Sequence, residues 1–262
     1  MTQALLERDA ASGIATLTVN RPDRLNAIDV ATARALAQAA AQLRGDGSLR
    51  CIVLRGAGRA FVAGGDLAAF AADFDHADGV ANDLLDAMHQ VVAVLTEHSA
   101  PVIASVHGAV AGAGLSLMLA CDYVIAAQGA RFLLAYDRIG AAPDCGGTYL
   151  LPRVLGTRRA MEFMLMGEPW DADTAALHGM VNRVVPADTL SEHTQTLARR
   201  LAAGPTLAYG SYKRLAAGSF TTSLTAHLEQ ERQAFCAATK TADFREGVGA
   251  FLEKRTANFS GQ

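Results

Sequence analysis

Three glycine-containing segments hold the residues of this chain whose types and spacing could do chemistry. The first segment, Arg59–Leu67 (RAFVAGGDL), places a glycine pair directly before Asp66. Glycine lets a backbone amide approach a ligand closely, and an aspartate at that place can cap a following helix. A plain turn that ends in a helix cap would contain the same residues, so this segment alone permits both interpretations.

The second segment, Val106–Ser116 (VHGAVAGAGLS), leads small residues from an apolar strand into an apolar helix. The amino end of a helix leaves unpaired N–H groups and a partial positive charge, which suit an anionic oxygen. Phosphate could bind there too, but the lysine of a Walker motif is absent. Close packing of the helix through its small residues is a further interpretation that this pattern permits.

The third segment, Phe132–Gly140 followed by Ala141–Thr148 (AAPDCGGT), places Asp144 between a proline and a glycine pair. An apolar run, Tyr149–Leu155, comes next. Read alone, this pattern indicates the start of a helix, with an acidic side chain near the positive end of its dipole. Nothing nearby in the sequence supplies a base for Cys145, so we do not expect a cysteine nucleophile.

Alternating strands and helices must position these segments. Three segments have the pattern of strands: Ile14–Asn20, Cys51–Leu54 and Val102–Val106. Asp29 precedes an Ala-rich helical stretch that extends to Leu43, and Val80–Leu95 also has helical spacing. This order predicts an α/β core. Beyond about Pro152 helices dominate and one short strand, Met180–Val185, is expected. The predicted helices are Arg158–Met166, Ala172–Gly179, Asp188–Ala203, Ser223–Ala237 and Asp243–Lys254.

Composition limits the classes of function. The 262 residues carry a formal net charge of −3, which argues against a general nucleic-acid binder. The longest nearly uncharged stretch, Gly108–Cys121, is too short to span a bilayer, so no membrane partner is expected. The four cysteines are scattered and Met1–Ser12 lacks the apolar stretch of a signal peptide. We therefore expect a cytoplasmic protein without a metal site.

The three segments, in this order and at these intervals, resemble the crotonase (enoyl-CoA hydratase/isomerase) superfamily. The resemblance extends from Asn20-Arg21-Pro22 to the tail Glu246–Arg255. It implies a spiral of β-β-α units over residues 1–200 and a C-terminal helical region over residues 201–262, which provides trimerisation and covers the active site. It also implies a homotrimer or a hexamer built as a dimer of trimers. Periodicity alone would have fitted a doubly wound sheet equally well.

The resemblance also assigns roles to residues. It implies that the backbone N–H groups of Gly65 and Ala113 bind the carbonyl oxygen of an acyl-CoA thioester, with coenzyme A as part of the substrate and no separate cofactor. Arg24 and Lys254 become candidates for the phosphates of coenzyme A, although a solvated surface position fits them equally well. The other residues implied in substrate or coenzyme A binding are Leu25, Ala27, Ala63, Asp66, Leu67 and Tyr136.

Two substitutions bear on the reaction. A typical hydratase of the superfamily carries glutamates at the positions of Ser116 and Tyr136, and neither of these side chains can act as a carboxylate base. Asp144 follows Tyr136 by eight residues, and the segment Ile139–Arg153 resembles the ring-epoxide isomerases of bacterial phenylacetate degradation. The resemblance therefore favours isomerisation of an enoyl-CoA or a ring epoxide, with Asp144 as the proton shuttle.

Three alternatives stay open at this point. One is a hydratase with atypical acid and base residues. Another is an aryl-CoA dehalogenase, in which an aspartate at the place of Asp144 attacks the ring, with Tyr136 eight positions earlier and His89 as its histidine. The third is a non-catalytic binding protein of the same acyl-CoA-binding fold, which binds RNA or serves only as an assembly subunit.

Overall fold

The computed structural model describes residues 2–262, and its strands form two sheets. The strands are numbered in chain order. The larger sheet contains, from edge to edge, β1 (Ala4–Asp9), β2 (Ile14–Val19), β3 (Cys51–Gly56), β4 (Val102–Val106), β6 (Tyr123–Ala127) and β9 (Arg183–Val185). The second sheet contains β5 (Ala109–Ala111), β7 (Arg131–Leu133) and β8 (Trp170–Asp171). β1 is antiparallel to β2, and all other neighbours in the larger sheet are parallel.

Helices follow the strands and then take over the chain, which gives a mixed α/β fold with a C-terminal helical region. The helices are α1 (Val30–Leu43), α2 (Leu67–Ala71), α3 (Ala77–Glu97), α4 (Ala113–Leu119), α5 (Gly147–Leu155), α6 (Thr157–Met166), α7 (Ala172–Leu177), α8 (Leu190–Ala202), α9 (Thr206–Gly218), α10 (Leu224–Ala238) and α11 (Ala242–Glu253). Within residues 2–262, none of them combines the length and the apolar character that crossing a membrane requires.

The chain passes repeatedly from one sheet to the other. β4 belongs to the larger sheet, β5 to the second sheet, and α4 follows; β6 and β7 then repeat the same passage. A parallel bridge between Val62 and Val110 joins the loop after β3 to β5 in the same way. The loops at the carboxyl ends of β3 and β4 are therefore brought side by side.

Helices cover both faces of the larger sheet. α1 and α3 pack on one face, because each presents an apolar stripe at helical spacing. The buried residues of these stripes include Ala33, Leu36, Ala40 and Leu43 on α1 and Leu84, Met88, Val91 and Leu95 on α3. On the other face α8 packs against alternate residues of the strands, including Cys51 and Val53. Strands buried on both faces have continuous apolar sequences, as β3 and β4 do.

The C-terminal helices are tied to this core by polar contacts. The Lys213 ammonium group on α9 lies 2.7 Å from the carboxylate of Asp122 and donates to the Leu95 carbonyl at 3.1 Å. The Arg50 guanidinium group, just before β3, donates to the carbonyls of Gly204 and Phe259 at 2.7 and 3.2 Å. These contacts hold both the start and the tail of the helical region against the amino ends of the central strands.

Candidate active site

The loop after β3 brings Gly64 and Gly65 to the carboxyl end of the larger sheet. The Ile28 N–H donates to the Gly64 carbonyl at 2.8 Å, and the Asp66 N–H donates to the Ile28 carbonyl at 2.9 Å. Gly64 has φ of 109°, a backbone conformation that favours glycine. The Gly65 N–H lies between these two bonds and therefore points to the other side of the strand. No described residue accepts a hydrogen bond from it.

Asn26 fixes this loop from inside. Its side chain is 0% exposed, and its φ of 59° is a value that asparagine tolerates better than most residues. The side-chain nitrogen lies 2.8–3.0 Å from the carbonyl oxygens of Ala57, Ala60 and Phe61, while Oδ1 accepts from the Arg21 N–H at 2.8 Å. One buried amide thus joins the turn after β2 to the glycine loop.

We expect Asn26→Ala to lower the free energy of unfolding by about 3 kcal/mol or more, because several buried polar groups lose their partner together. Urea denaturation measures this change. Asn82→Ala, on the exposed side of α3, is the matched control and should change the free energy by less than about 0.5 kcal/mol. A loss below about 1 kcal/mol for Asn26→Ala would contradict a central role for this amide.

The second loop presents the amide of Ala113 at the start of α4. Gly112, with φ of 51°, turns the chain from β5 into the helix. A methyl group on Gly114 would lie 2.3 Å from the Val62 carbonyl oxygen, so glycine is required for the close approach of the two loops. The Ala113 N–H is the first amide of the helix and donates to no described residue. All residues of α4 are buried, which keeps water away from this amide.

Contacts of Gly112 show that the two free amides are neighbours. A methyl group on Gly112 would lie 3.2 Å from the Cα of Gly64 and 3.9 Å from the Tyr136 hydroxyl. Gly65 and Ala113 follow these touching glycines directly in the chain. The structure therefore brings the Gly65 and Ala113 amides together beside Tyr136. Two free amides at one place suit a carbonyl oxygen that becomes negatively charged.

Asp144 joins the same site through hydrogen bonds to its side chain and to its backbone carbonyl. Its Oδ1 accepts a hydrogen bond from the Tyr136 hydroxyl at 2.6 Å. Its backbone carbonyl accepts from the Ser116 hydroxyl at 2.9 Å and from the Gly147 N–H at 2.9 Å. Ser116 lies on α4, three residues beyond Ala113, and is 0% exposed. The half-buried Asp144 is thus anchored to the helix that carries one of the free amides.

The protonation of the neighbours follows from their burial. Burial raises the pKa of the Tyr136 hydroxyl, and the negative charge of Asp144 raises it further. Burial, followed by the same charge, also raises the pKa of the Cys145 thiol. Both groups are therefore neutral at physiological pH, so Tyr136 donates its proton to Asp144 and Cys145 lacks the thiolate that a nucleophile needs.

Several residues expected to bind coenzyme A also make hydrogen bonds that stabilise the fold. The Leu25 carbonyl accepts from the Ala63 N–H at 3.1 Å. Asp66 caps α2, and its Oδ2 lies 2.6 Å from an Arg21 nitrogen that also donates to the Ala27 carbonyl. Leu67, the first residue of α2, is exposed. Sequence reasoning missed Arg21 as part of this network, although Arg-Pro stood in the motif that carried the resemblance.

Among the described residues, the surface near Arg21 contains one paired and one unpaired arginine. The hydrogen bond from Arg21 holds the pKa of the Asp66 carboxyl below its ordinary value, and the charge of Arg24 contributes to the same effect. Arg24 is exposed and makes no hydrogen bond or ion pair to a described residue. Its guanidinium group is therefore free to meet an anionic ligand.

Two candidate residues make no hydrogen bond or ion pair with the described residues of the site. Lys254 is exposed at the end of α11, and no hydrogen bond or ion pair joins it to the glycine loops. His89 lies on the exposed side of α3, away from that helix's buried stripe. No hydrogen bond or ion pair links His89 with Asp144, so the structure adds no support for a dehalogenase pairing. In residues 2–262, no group of three or more metal-ligating side chains is assembled.

The fold of this chain is shared with solved structures of enoyl-CoA hydratases. The structure superposes on that of an enoyl-CoA hydratase from Polaromonas sp. JS666 with a TM-score of 0.91, at 32% identity and with 98% and 99% of the two chains covered. The fold is therefore of the crotonase class. The sequence narrows the class further: the model of the family described as enoyl-CoA hydratase/isomerase matches residues 9–262, and the chain belongs to that family. The expected superfamily and the expected spiral are both confirmed.

Relatives within the family differ in the activity that their names state. The chain is 42% identical to the 1,2-epoxyphenylacetyl-CoA isomerase of Escherichia coli (strain K12), over 95% of this chain and 96% of that protein. It is 38% identical to a probable enoyl-CoA hydratase of Rhodobacter capsulatus, over 100% of both chains. Family membership therefore covers isomerases and hydratases alike.

Proposed function

We propose that this chain is an acyl-CoA isomerase, acting on a double bond or a ring epoxide, with Asp144 as its single proton-transferring group. One observation carries the proposal. The two positions where the superfamily's hydratases carry glutamates hold Ser116 and Tyr136, and both side chains support Asp144, at 2.9 Å and 2.6 Å. The site therefore contains one carboxylate held by its neighbours. The likeness to the isomerase of Escherichia coli supports the same reading.

The proposed isomerisation passes through an enolate anion and needs one base. The thioester oxygen lies between the Gly65 and Ala113 amides, and each can stabilise the developing enolate by about 3 kcal/mol. Asp144 takes a proton from one carbon of the acyl group and returns it to another. No water has to be activated, so a second carboxylate is not needed.

A hydratase is the second candidate, because the relative from Rhodobacter capsulatus is named as one and matches over the whole chain. Two features count against it. Ser116 is fully buried, and a methyl group on Gly147 would lie 2.7 Å from its oxygen, so the position has no room for a larger acid. Tyr136 is neutral and donates its proton to Asp144. Neither group can deprotonate a water molecule.

The proposal extends to binding and assembly. Arg24 and Lys254, both exposed cations, are the candidate partners for the phosphates of coenzyme A. Residues 201–262 would provide trimerisation and cover the site. Large apolar side chains exposed on α11, such as Phe251 (82%) and Leu252 (74%), support an assembly that buries them, as a homotrimer or a dimer of trimers.

An activity panel tests the proposed reaction. The enzyme is incubated with a 3-enoyl-CoA, a 2-enoyl-CoA and a ring-epoxide CoA ester, and the products are identified by mass spectrometry and NMR. We expect rearranged esters of unchanged mass from the 3-enoyl or the epoxide substrate. A product heavier by one water as the main outcome would instead establish the hydratase.

The same panel separates catalysis from binding alone. Incubation of each ester in deuterium oxide reveals proton abstraction even where no net reaction occurs. Tight binding of several CoA esters without deuterium incorporation into any of them would contradict the proposal and favour a protein that only binds. Release of halide from an aryl-CoA, with a covalent ester on Asp144, would favour the dehalogenase.

A further inference from the structure

The two oxygens of the Asp144 carboxylate have different surroundings. Oδ1 accepts the 2.6 Å hydrogen bond from the Tyr136 hydroxyl. The neutral Cys145 thiol lies near the carboxylate, but no described residue donates to Oδ2 a hydrogen bond with the usual distance and angles. The pair Tyr136 and Asp144 therefore distinguishes two oxygens that are chemically alike in a free carboxylate.

Both partners in this hydrogen bond have fixed backbones. The Tyr136 carbonyl accepts from the N–H groups of Ile139 and Ala141, at 3.2 and 3.1 Å. The Asp144 carbonyl accepts from Ser116 and Gly147, both at 2.9 Å. With the two main chains held, the hydroxyl bond hinders rotation of the carboxylate about its Cβ–Cγ bond.

The hydroxyl also faces the oxyanion-binding loop. A methyl group on Gly112, the residue before Ala113, would lie 3.9 Å from the Tyr136 oxygen. The hydroxyl therefore lies between the carboxylate and the loop that holds the thioester oxygen. Because burial and the charge of Asp144 raise the pKa of Tyr136, this group stays a hydrogen-bond donor across the physiological range and does not compete as a base.

We propose that Tyr136 is a positioning residue that occupies Oδ1 of Asp144 and leaves Oδ2 as the atom that removes the substrate proton and returns it. This inference rests on the proposed function and assigns the proton to one atom. It also predicts that the transferred proton is largely conserved, because one oxygen carries it between two carbons of the same acyl group while the Tyr136 hydrogen bond to Oδ1 hinders rotation of the carboxylate.

The step balances without any further reactant. Oδ2 takes a proton from C2 of a 3-enoyl thioester, and the electron pair of that C–H bond enters a conjugated dienolate whose charge lies on the thioester oxygen. The Gly65 and Ala113 amides hold that oxygen. The O–H bond on Oδ2 then breaks as the same proton is delivered to C4, the double bond moves to C2–C3, and the carboxylate is restored.

Tyr136→Phe tests this assignment, because it removes the hydroxyl and keeps the ring. A 3-enoyl-CoA is turned over in deuterium oxide, and kcat, KM and the deuterium content at C4 of the product are measured. For the wild type we expect mostly unlabelled product. For Tyr136→Phe we expect kcat to fall about 10- to 100-fold, the equivalent of one charge-assisted hydrogen bond, with KM changed less than about threefold and the deuterium content clearly raised.

Controls make the two hypotheses separable. Tyr212→Phe, on the exposed surface of α9, should match the wild type in all three measurements. Wild-type kcat and deuterium content in Tyr136→Phe, with Asp144→Asn inactive, would overturn the positioning role and leave the proposed function standing. A lower kcat with unchanged deuterium content, or complete exchange in the wild type, would also overturn it. Full activity of Asp144→Asn would remove both hypotheses.

Discussion

Asp144→Asn is expected to lower kcat for isomerisation at least about 100-fold, the usual contribution of acid–base catalysis. Asparagine has almost the same shape, and its Oδ1 can still accept the hydrogen bond from Tyr136 that the carboxylate accepts at 2.6 Å. The backbone carbonyl keeps its bonds to Ser116 and Gly147. What disappears is the capacity to take up a proton. KM should therefore change little while kcat falls.

The measurement needs a matched control and a binding assay. Asp86→Asn removes an exposed carboxylate on α3 and should leave kcat within about twofold of the wild type, as a surface substitution remote from the site. Calorimetric titration with a saturated acyl-CoA should give similar affinities for wild type and Asp144→Asn. Isomerisation by Asp144→Asn at a rate close to that of the wild type would refute the assigned role of the carboxylate.

The sequence predicted the central strands well because burial on both faces leaves a strong pattern. The runs Ile14–Asn20, Cys51–Leu54 and Val102–Val106 coincide with β2, β3 and β4. The second sheet was missed, since its strands have two or three residues and their pairing depends on the fold rather than on periodicity. Helix α9 was missed as well, because its buried residues, Thr206 and Gly210, form no apolar stripe.

In the candidate site, too, the sequence predicted the local motifs but not the contacts between residues that are distant in the chain. Glycine patterns and the resemblance pointed to Gly65, Ala113 and Asp144, and the structure brings these segments together. The link between Ser116 and Asp144 joins residues 28 positions apart, and the links from Asn26 reach 31 to 35 positions ahead. Contacts of that kind depend on how the two sheets stack. No single-sequence pattern contains them.

Ala113→Pro tests the oxyanion site by removing one N–H and no side-chain function. Ala113 is the first residue of α4, and proline is well tolerated at that helical position because its missing N–H has no partner within the helix. The preceding residue is Gly112, which is free of the clash that a side chain would add. The helix should therefore form, while the ring carbon on the nitrogen replaces the donor to the thioester oxygen.

We expect Ala113→Pro to lower kcat/KM about 100- to 1000-fold, as loss of one oxyanion donor does elsewhere, with a far-ultraviolet circular dichroism spectrum like that of the wild type. Thr157→Pro is the matched control: it places proline at the first residue of the exposed helix α6 and should keep near-normal activity. Ala113→Gly, which retains the N–H, should keep most of the activity too. The negative charge of the enolate needs a hydrogen-bond donor. Wild-type activity of Ala113→Pro would therefore mean that a donor other than the Ala113 amide stabilises that charge.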